Sequence, residues 1–433
     1  MAAGLSSLAI YLVFSIGILL HSYPNIAAQA RIFDPNRKDN LALYWGQNSF
    51  GVTHAGMLGQ EALEDYCQND SADILLLSFL NVFNAASAGG VPGLDFAETC
   101  KTTFPNTTLL HCPQIAKGIK YCQKQGKIVL LSLGGAAGSY GFASEDEARQ
   151  FADKLWDMFM GGSADLRPFD DAVVDGVDLD IEGGQSTGYV TLVGRLREKF
   201  KQVPDRRFYV TAAPQCPFPD GYLGSVIDSA HLDMVFVQFY NNWCSALSYP
   251  SQFNFDDWDN WARDRSLNPD VKVYFGLPGS TTAARSGYID PTELARIIPD
   301  VRSKYPSFGG VSMWDASQGA SNKIGDKSYT QHVADILRAN GDTAEPAQPE
   351  DTSKVPKGDG ETAESTQIGI DEPTTPNPTN PSFTTPSSTA PTPSIKDDGA
   401  APETTAVKST GGRGHGHDHS QHKHHCCHRG RDE

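Results

Sequence analysis

The sequence predicts an α/β fold, a single (β/α)8 TIM barrel followed by a disordered C-terminal tail. Three observations lead there. Short β-rich apolar runs alternate with longer amphipathic segments between about residues 31 and 340. Several of the runs are continuously apolar, as parallel strands buried on both faces must be. Beyond about Gly341 the composition turns to Pro, Thr, Ser, Asp and Glu, with Phe383 as the last aromatic.

The strand candidates, in order, are Leu41–Trp45, Ile74–Leu80, Ile128–Leu133, Gly176–Glu182, Phe208–Ala213, Met234–Tyr240, Val271–Leu277 and Gly309–Trp314. Helical periodicity fits segments between them, such as Glu145–Met160, Tyr189–Phe200 and Pro291–Lys304. An open doubly wound sheet is the rival arrangement. It needs a glycine-rich phosphate loop after the first strand, and Gly134-Gly135 alone does not make one.

Residues 1–30 read as a cleaved secretion signal. Leu8 through Leu20 is almost wholly apolar, and Ala28-Gln29-Ala30 offers a small-residue cleavage site. The stretch is short for a membrane span and carries no Lys or Arg ahead of it. Export agrees with six cysteines in the globular part, Cys67, Cys100, Cys112, Cys122, Cys216 and Cys244, whose pairing spacing alone leaves open. Asn69 and Asn106 head N-glycosylation sequons. The net charge of −17 excludes a nucleic-acid partner and is compatible with a neutral substrate.

Residues 341–410 form a Pro/Thr/Ser-rich stalk that cannot bury enough apolar surface to order itself. Residues 411–433 are rich in His and end near Cys426-Cys427, a composition able to bind Zn or Cu ions. No hydrophobic tail for a lipid anchor follows.

The chemistry concentrates in Asp175-Gly-Val-Asp178-Leu-Asp180-Ile-Glu182. Alternation along a strand points Asp178, Asp180 and Glu182 to one face. Three carboxyls on one face repel one another and resist joint ionisation. Asp175 has the opposite parity and reads as structural. In a barrel, functional groups sit at the C-terminal ends of the strands. Those ends are polar or aromatic here: Tyr44-Trp-Gly-Gln-Asn48, Ser132-Leu-Gly-Gly135, Gln238-Phe-Tyr240-Asn241-Asn242 and Trp314-Asp315. A hard cation on the acidic strand is the competing reading. Asp315 is the one further acid at these strand ends, so the expectation is no metal and no cofactor.

Together these motifs resemble the family 18 glycoside hydrolases, in the class III, hevamine-like branch of the retaining chitinases. The acidic strand matches their D-x-x-D-x-D-x-E pattern, and the matching motifs lie on at least five strands across residues 31–340. The resemblance implies a secreted, monomeric endochitinase acting on β-1,4-linked N-acetylglucosamine, extracellular and associated with a cell wall. It implies the disulfides Cys67–Cys122, Cys100–Cys112 and Cys216–Cys244.

Chemistry and resemblance then assign roles. Glu182 is the general acid and later the base, Asp180 orients the substrate acetamido group, and Asp178 shares a proton with Asp180. Tyr240 donates a hydrogen bond to the acetamido oxygen, and Trp314 forms an apolar floor. Tyr44, Phe79, Gln238 and Asn241 line the groove. The alternatives are an endo-β-N-acetylglucosaminidase on N-glycans, lysozyme-like cleavage of peptidoglycan, and a non-catalytic chitin-binding lectin or inhibitor on the same barrel.

Overall fold

A computed structural model of the chain describes residues 31–339, except 58, 69–70 and 86–89. The N-terminal apolar run, Asn69, the stalk and the His-rich end lie outside the described residues. Among the described residues, no helix is long and apolar enough to cross a membrane.

Parallel strands close into a barrel. They are β1 (Asn40–Trp45), β2 (Ile74–Ala85), β4 (Ile128–Gly135), β5 (Gly176–Ile181), β6 (Tyr209–Ala212), β7 (Met234–Gln238), β8 (Lys272–Pro278) and β9 (Phe308–Trp314). β1 pairs with both β2 and β9, which closes the ring. The additional strand β3 (Val91–Leu94) runs antiparallel to the far end of β2.

Side-chain alternation sorts the apolar residues into two layers. Leu41, Leu43, Leu75, Leu77, Val129, Leu131, Val177, Leu179, Val235 and Val237 face outward and are buried beneath the helices. Ala42, Tyr44, Ile74, Leu76, Leu130, Tyr209, Met234, Phe236 and Tyr274 fill the interior. Asp178, Asp180 and Thr211 have this inward parity, so the barrel carries polar groups in its own core. The helices that cover the outer layer include Pro113–Lys124, Glu145–Phe159, Tyr189–Phe200, Phe255–Asp264, Pro291–Lys304 and Tyr329–Ala339.

The strand starts are fastened by a repeated device. The backbone N–H of Asp73 donates to the carbonyl of Leu41, and its carboxylate accepts the N–H of the same residue at 2.9 Å. Asp175 clamps Val129 in this way at 2.8 Å, and Asp233 clamps Val210 at 2.8 Å. An arginine completes each clamp: Arg31 on Asp73, Arg206 on Asp175 and Arg197 on Asp233. Asp175 thus stands at the end of the barrel away from the chemistry.

The structure links Cys67 to Cys122, Cys100 to Cys112 and Cys216 to Cys244, the pairing the resemblance implies. Asn106 is exposed in a turn, with a left-handed φ of 58°. Two expected strand ends are shorter in the structure. Glu182 and Tyr240 lie just beyond β5 and β7, in the loops at the barrel mouth. β2 is longer than expected, because its end leaves the barrel and pairs with β3.

Candidate active site

At the C-terminal mouth of the barrel lies a cavity of about 140 Å³. Its lining brings together Tyr44, Phe79, Asp180, Glu182, Gln238, Tyr240, Asn241 and Trp314, from loops and strands far apart in sequence. Ala136, Phe236, Gly276, Ala283 and Ser312 complete it, and the motifs did not single these out.

Asp178 does not line the cavity; it is buried beneath it. Three hydroxyls surround it: Tyr44 Oη donates to its Oδ2 at 3.1 Å, Ser132 Oγ to Oδ2 at 2.7 Å and Thr211 Oγ1 to Oδ1 at 2.6 Å. Strand register makes this set, since Ser132, Asp178 and Thr211 stand opposite one another across β4, β5 and β6. Burial still raises the Asp178 pKa to about 6, against the opposing pull of the three hydrogen bonds.

Asp178 is expected to share a proton with Asp180, and its charge is one cause of the raised Asp180 pKa. Asp180 interacts most strongly with Glu182, whose charge is the next cause after burial of its raised pKa, while three hydroxyls occupy the lone pairs of Asp178. Two adjacent carboxyls resist joint ionisation. Burial is the largest cause raising both pKa values, and the charges of Glu182 and Asp178 push Asp180 further up. Hydrogen bonds from Gln238 and Asp180 oppose the rise at Glu182, and the negative charge of Asp220 adds to it. The pair titrates as one unit.

Gln238 organises these acids as well as lining the cleft. Its Nε2 donates to Asp180 Oδ1 at 3.1 Å and to the Ala213 carbonyl at 3.0 Å. Tyr140, which sequence patterning missed, accepts the Glu182 backbone N–H at 3.3 Å and donates to the Gly135 carbonyl at 2.6 Å. It therefore fixes the backbone that carries the candidate acid. The Tyr240 pKa is held well above its ordinary value by burial and by the charges of Asp180 and Glu182, so the phenol remains a hydrogen-bond donor. Trp314 packs on Phe79 with ring centroids 5.8 Å apart and on Tyr44 at 5.8 Å, which gives the cleft an apolar floor.

Asn241, which lines the cavity, and Asp315 at the end of β9 also hold the mouth loops in place. The side-chain oxygen of Asn241 accepts the backbone N–H groups of Arg285 at 2.9 Å and Ser286 at 3.3 Å, so it ties two mouth loops together. Asp315 caps the helix Ala316–Ser321, accepting from Gln318 N, Ser317 Oγ and Ser49 N.

Sequence and fold comparisons find relatives of this chain. The sequence pattern of glycosyl hydrolases family 18 matches residues 40–287. Chitinase 2 of Rhizopus oligosporus is 51% identical over 305 residues, covering 70% of this chain and 53% of that protein. An endochitinase of Saccharomyces cerevisiae is 46% identical over 314 residues, covering 72% and 52% respectively. The chain thus matches about half the length of these curated relatives. Among solved structures, a chitinase from Ipomoea carnea superposes with a TM-score of 0.58 and 32% identity, over 69% of this chain and 99% of that one. A xylanase and α-amylase inhibitor protein from Scadoxus multiflorus gives 0.55 and 32%, over 69% and 97%. With that pattern covering more than half of it, the chain belongs to the family 18 glycosyl hydrolases.

Proposed function

We propose that the chain is a secreted endochitinase that hydrolyses β-1,4 bonds between N-acetylglucosamine units with retention, using the substrate's own acetamido group as nucleophile. The observation that carries this reading is that Asp180 and Glu182 line the same cavity side by side, two residues apart at the end of β5. A conventional retaining pair flanks the sugar, with carboxyls about 5–5.5 Å apart. Two carboxyls side by side at one strand end form one wall, and the nucleophile has to come from elsewhere.

In the proposed cycle Glu182 passes the pair's proton to the bridging oxygen. The acetamido carbonyl oxygen attacks the anomeric carbon, the glycosidic bond breaks, and an oxazolinium forms. Asp180 then carries the negative charge that faces the cationic ring. Tyr240 aims the acetamido oxygen, and Trp314 supports the sugar face. Glu182, now a carboxylate, takes a proton from water, and that water opens the ring from the side of departure. Asp178 acts through Asp180 as a positioning residue, since its charge raises the neighbouring pKa.

Support for the substrate comes from the curated relatives, which include a chitinase and an endochitinase. Three disulfides suit an oxidising compartment, in keeping with the apolar N-terminal run. The inhibitor-like neighbour raises a non-catalytic alternative on the same barrel. The full set of Asp178, Asp180, Glu182 and Tyr240 favours catalysis. Chitin oligomers hydrolysed with anomers resolved at early times test the mechanism. Substrate assistance gives β-configured product first; predominantly α product overturns it.

A further inference from the structure

The loop after β7, residues 241–249, is densely fastened yet presents two large apolar side chains to solvent. Trp243 is 57% exposed and Leu247 is 61% exposed. The loop is anchored from several sides. Cys244 is bonded to Cys216, Ala246 N donates to the Phe239 carbonyl at 2.8 Å, and Ser248 Oγ donates to the Trp243 carbonyl at 2.6 Å. Ordering a loop while leaving its Trp in water forgoes burial that this residue normally finds.

The same loop walls the catalytic cleft on its inner side, through Asn241. On its outer side it meets the loop after β8 in a groove of about 330 Å³ lined by Ala246, Leu247, Tyr249, Tyr288, Ile289, Asp290 and Glu293. Asn241 bonds the two loops directly. The cleft and the groove are thus lined in part by the same pair of tied loops. Of the two carboxylates in the groove's lining, Glu293 pairs with Arg296 and Asp290 caps the helix Pro291–Lys304. Arg296 also lies over the Tyr249 ring at 5.7 Å. Apolar faces, phenols and compensated charges suit a neutral amphipathic ligand. A β-1,4-linked pyranose chain is such a ligand, with flat faces of C–H groups and hydroxyls along its edges.

Resting on the functional reading above, we propose that Trp243, Leu247 and the adjoining groove form a docking surface for β-1,4-linked N-acetylglucosamine polymer outside the catalytic cleft. The surface holds particulate polymer against the barrel mouth, and short soluble oligomers that fit within the cleft do not need it. Trp243 stacks on a sugar face, Leu247 extends the contact, and the disulfide keeps both presented without an ordering cost at binding.

The test uses the full chain and the variants Trp243→Ala and Leu247→Ser, with thermal midpoints and disulfide content checked first. Adsorption to chitin particles and release of soluble sugar from them are compared with turnover of a chitin tetramer. The expected result for Trp243→Ala is a loss of about ten-fold in adsorption and in particle hydrolysis, the factor one aromatic contact supplies. Leu247→Ser loses less, and tetramer turnover is unchanged in both. Variants that adsorb and degrade particles like the parent overturn the inference alone. So does a loss on the tetramer that parallels the loss on particles, since that places Trp243 within the cleft. A parent chain that cuts neither substrate overturns the functional reading itself.

Discussion

The general acid proposed at Glu182 has to keep its proton at the working pH, and burial raises its pKa toward that end. Its raised pKa keeps the acid form present above the ordinary carboxyl range, and kcat/KM falls as pH rises through the pKa of the pair. Asp220 contributes to the rise with its negative charge. Asp220→Asn removes that charge, so the alkaline limb of the pH profile should move to lower pH; an unmoved limb contradicts the electrostatic assignment. Glu182→Gln is expected to lower kcat by about 10²–10⁴-fold or more while oligosaccharide affinity, read by calorimetry, is retained. Much of this site was legible beforehand, because strand alternation alone aligns Asp178, Asp180 and Glu182. Thr211 left a usable signal, a hydroxyl at inward parity in an apolar run. Tyr140 left none, since it comes from a loop 42 residues before Glu182 and no local period marks it.

The aspartates that open β2, β5 and β7 do for strand starts what caps do for helices: each satisfies a backbone donor and acceptor on its neighbour. Asp175→Ala removes the partner of the buried Val129 N–H and leaves Arg206 without its carboxylate. Each such unsatisfied buried donor costs about 1–3 kcal/mol. Urea unfolding of Asp175→Ala should show that loss, while kcat per folded molecule stays at the parental value. A drop in kcat at unchanged stability would place Asp175 in the chemistry instead. Barrel strands read well from sequence because burial on both faces makes them continuously apolar. Their ends read poorly: Glu182 and Tyr240 look like strand by composition yet fall in the loops that shape the cleft. The departure of β2 into a hairpin with β3 was hidden because Asn81 and Asn84 interrupt its apolar pattern.

The chain as a whole joins a barrel whose outer core lies beneath helices to a long segment of very different composition. Apolar residues are sparse in the sequence after Pro349. A chain truncated there should keep the thermal midpoint and the oligomer turnover of the full protein, and a lowered midpoint would show that this segment stabilises the barrel. The acetamido nucleophile is the claim on which the mechanism turns. It is tested most directly by comparing kcat/KM for a chitin tetramer with that for a cellulose tetramer, which has the same linkage but no acetamido group. Substrate assistance predicts that only the chitin tetramer is cut, with the cellulose tetramer near background. Comparable rates on the two would mean that a group of the protein, and not of the sugar, attacks the anomeric carbon.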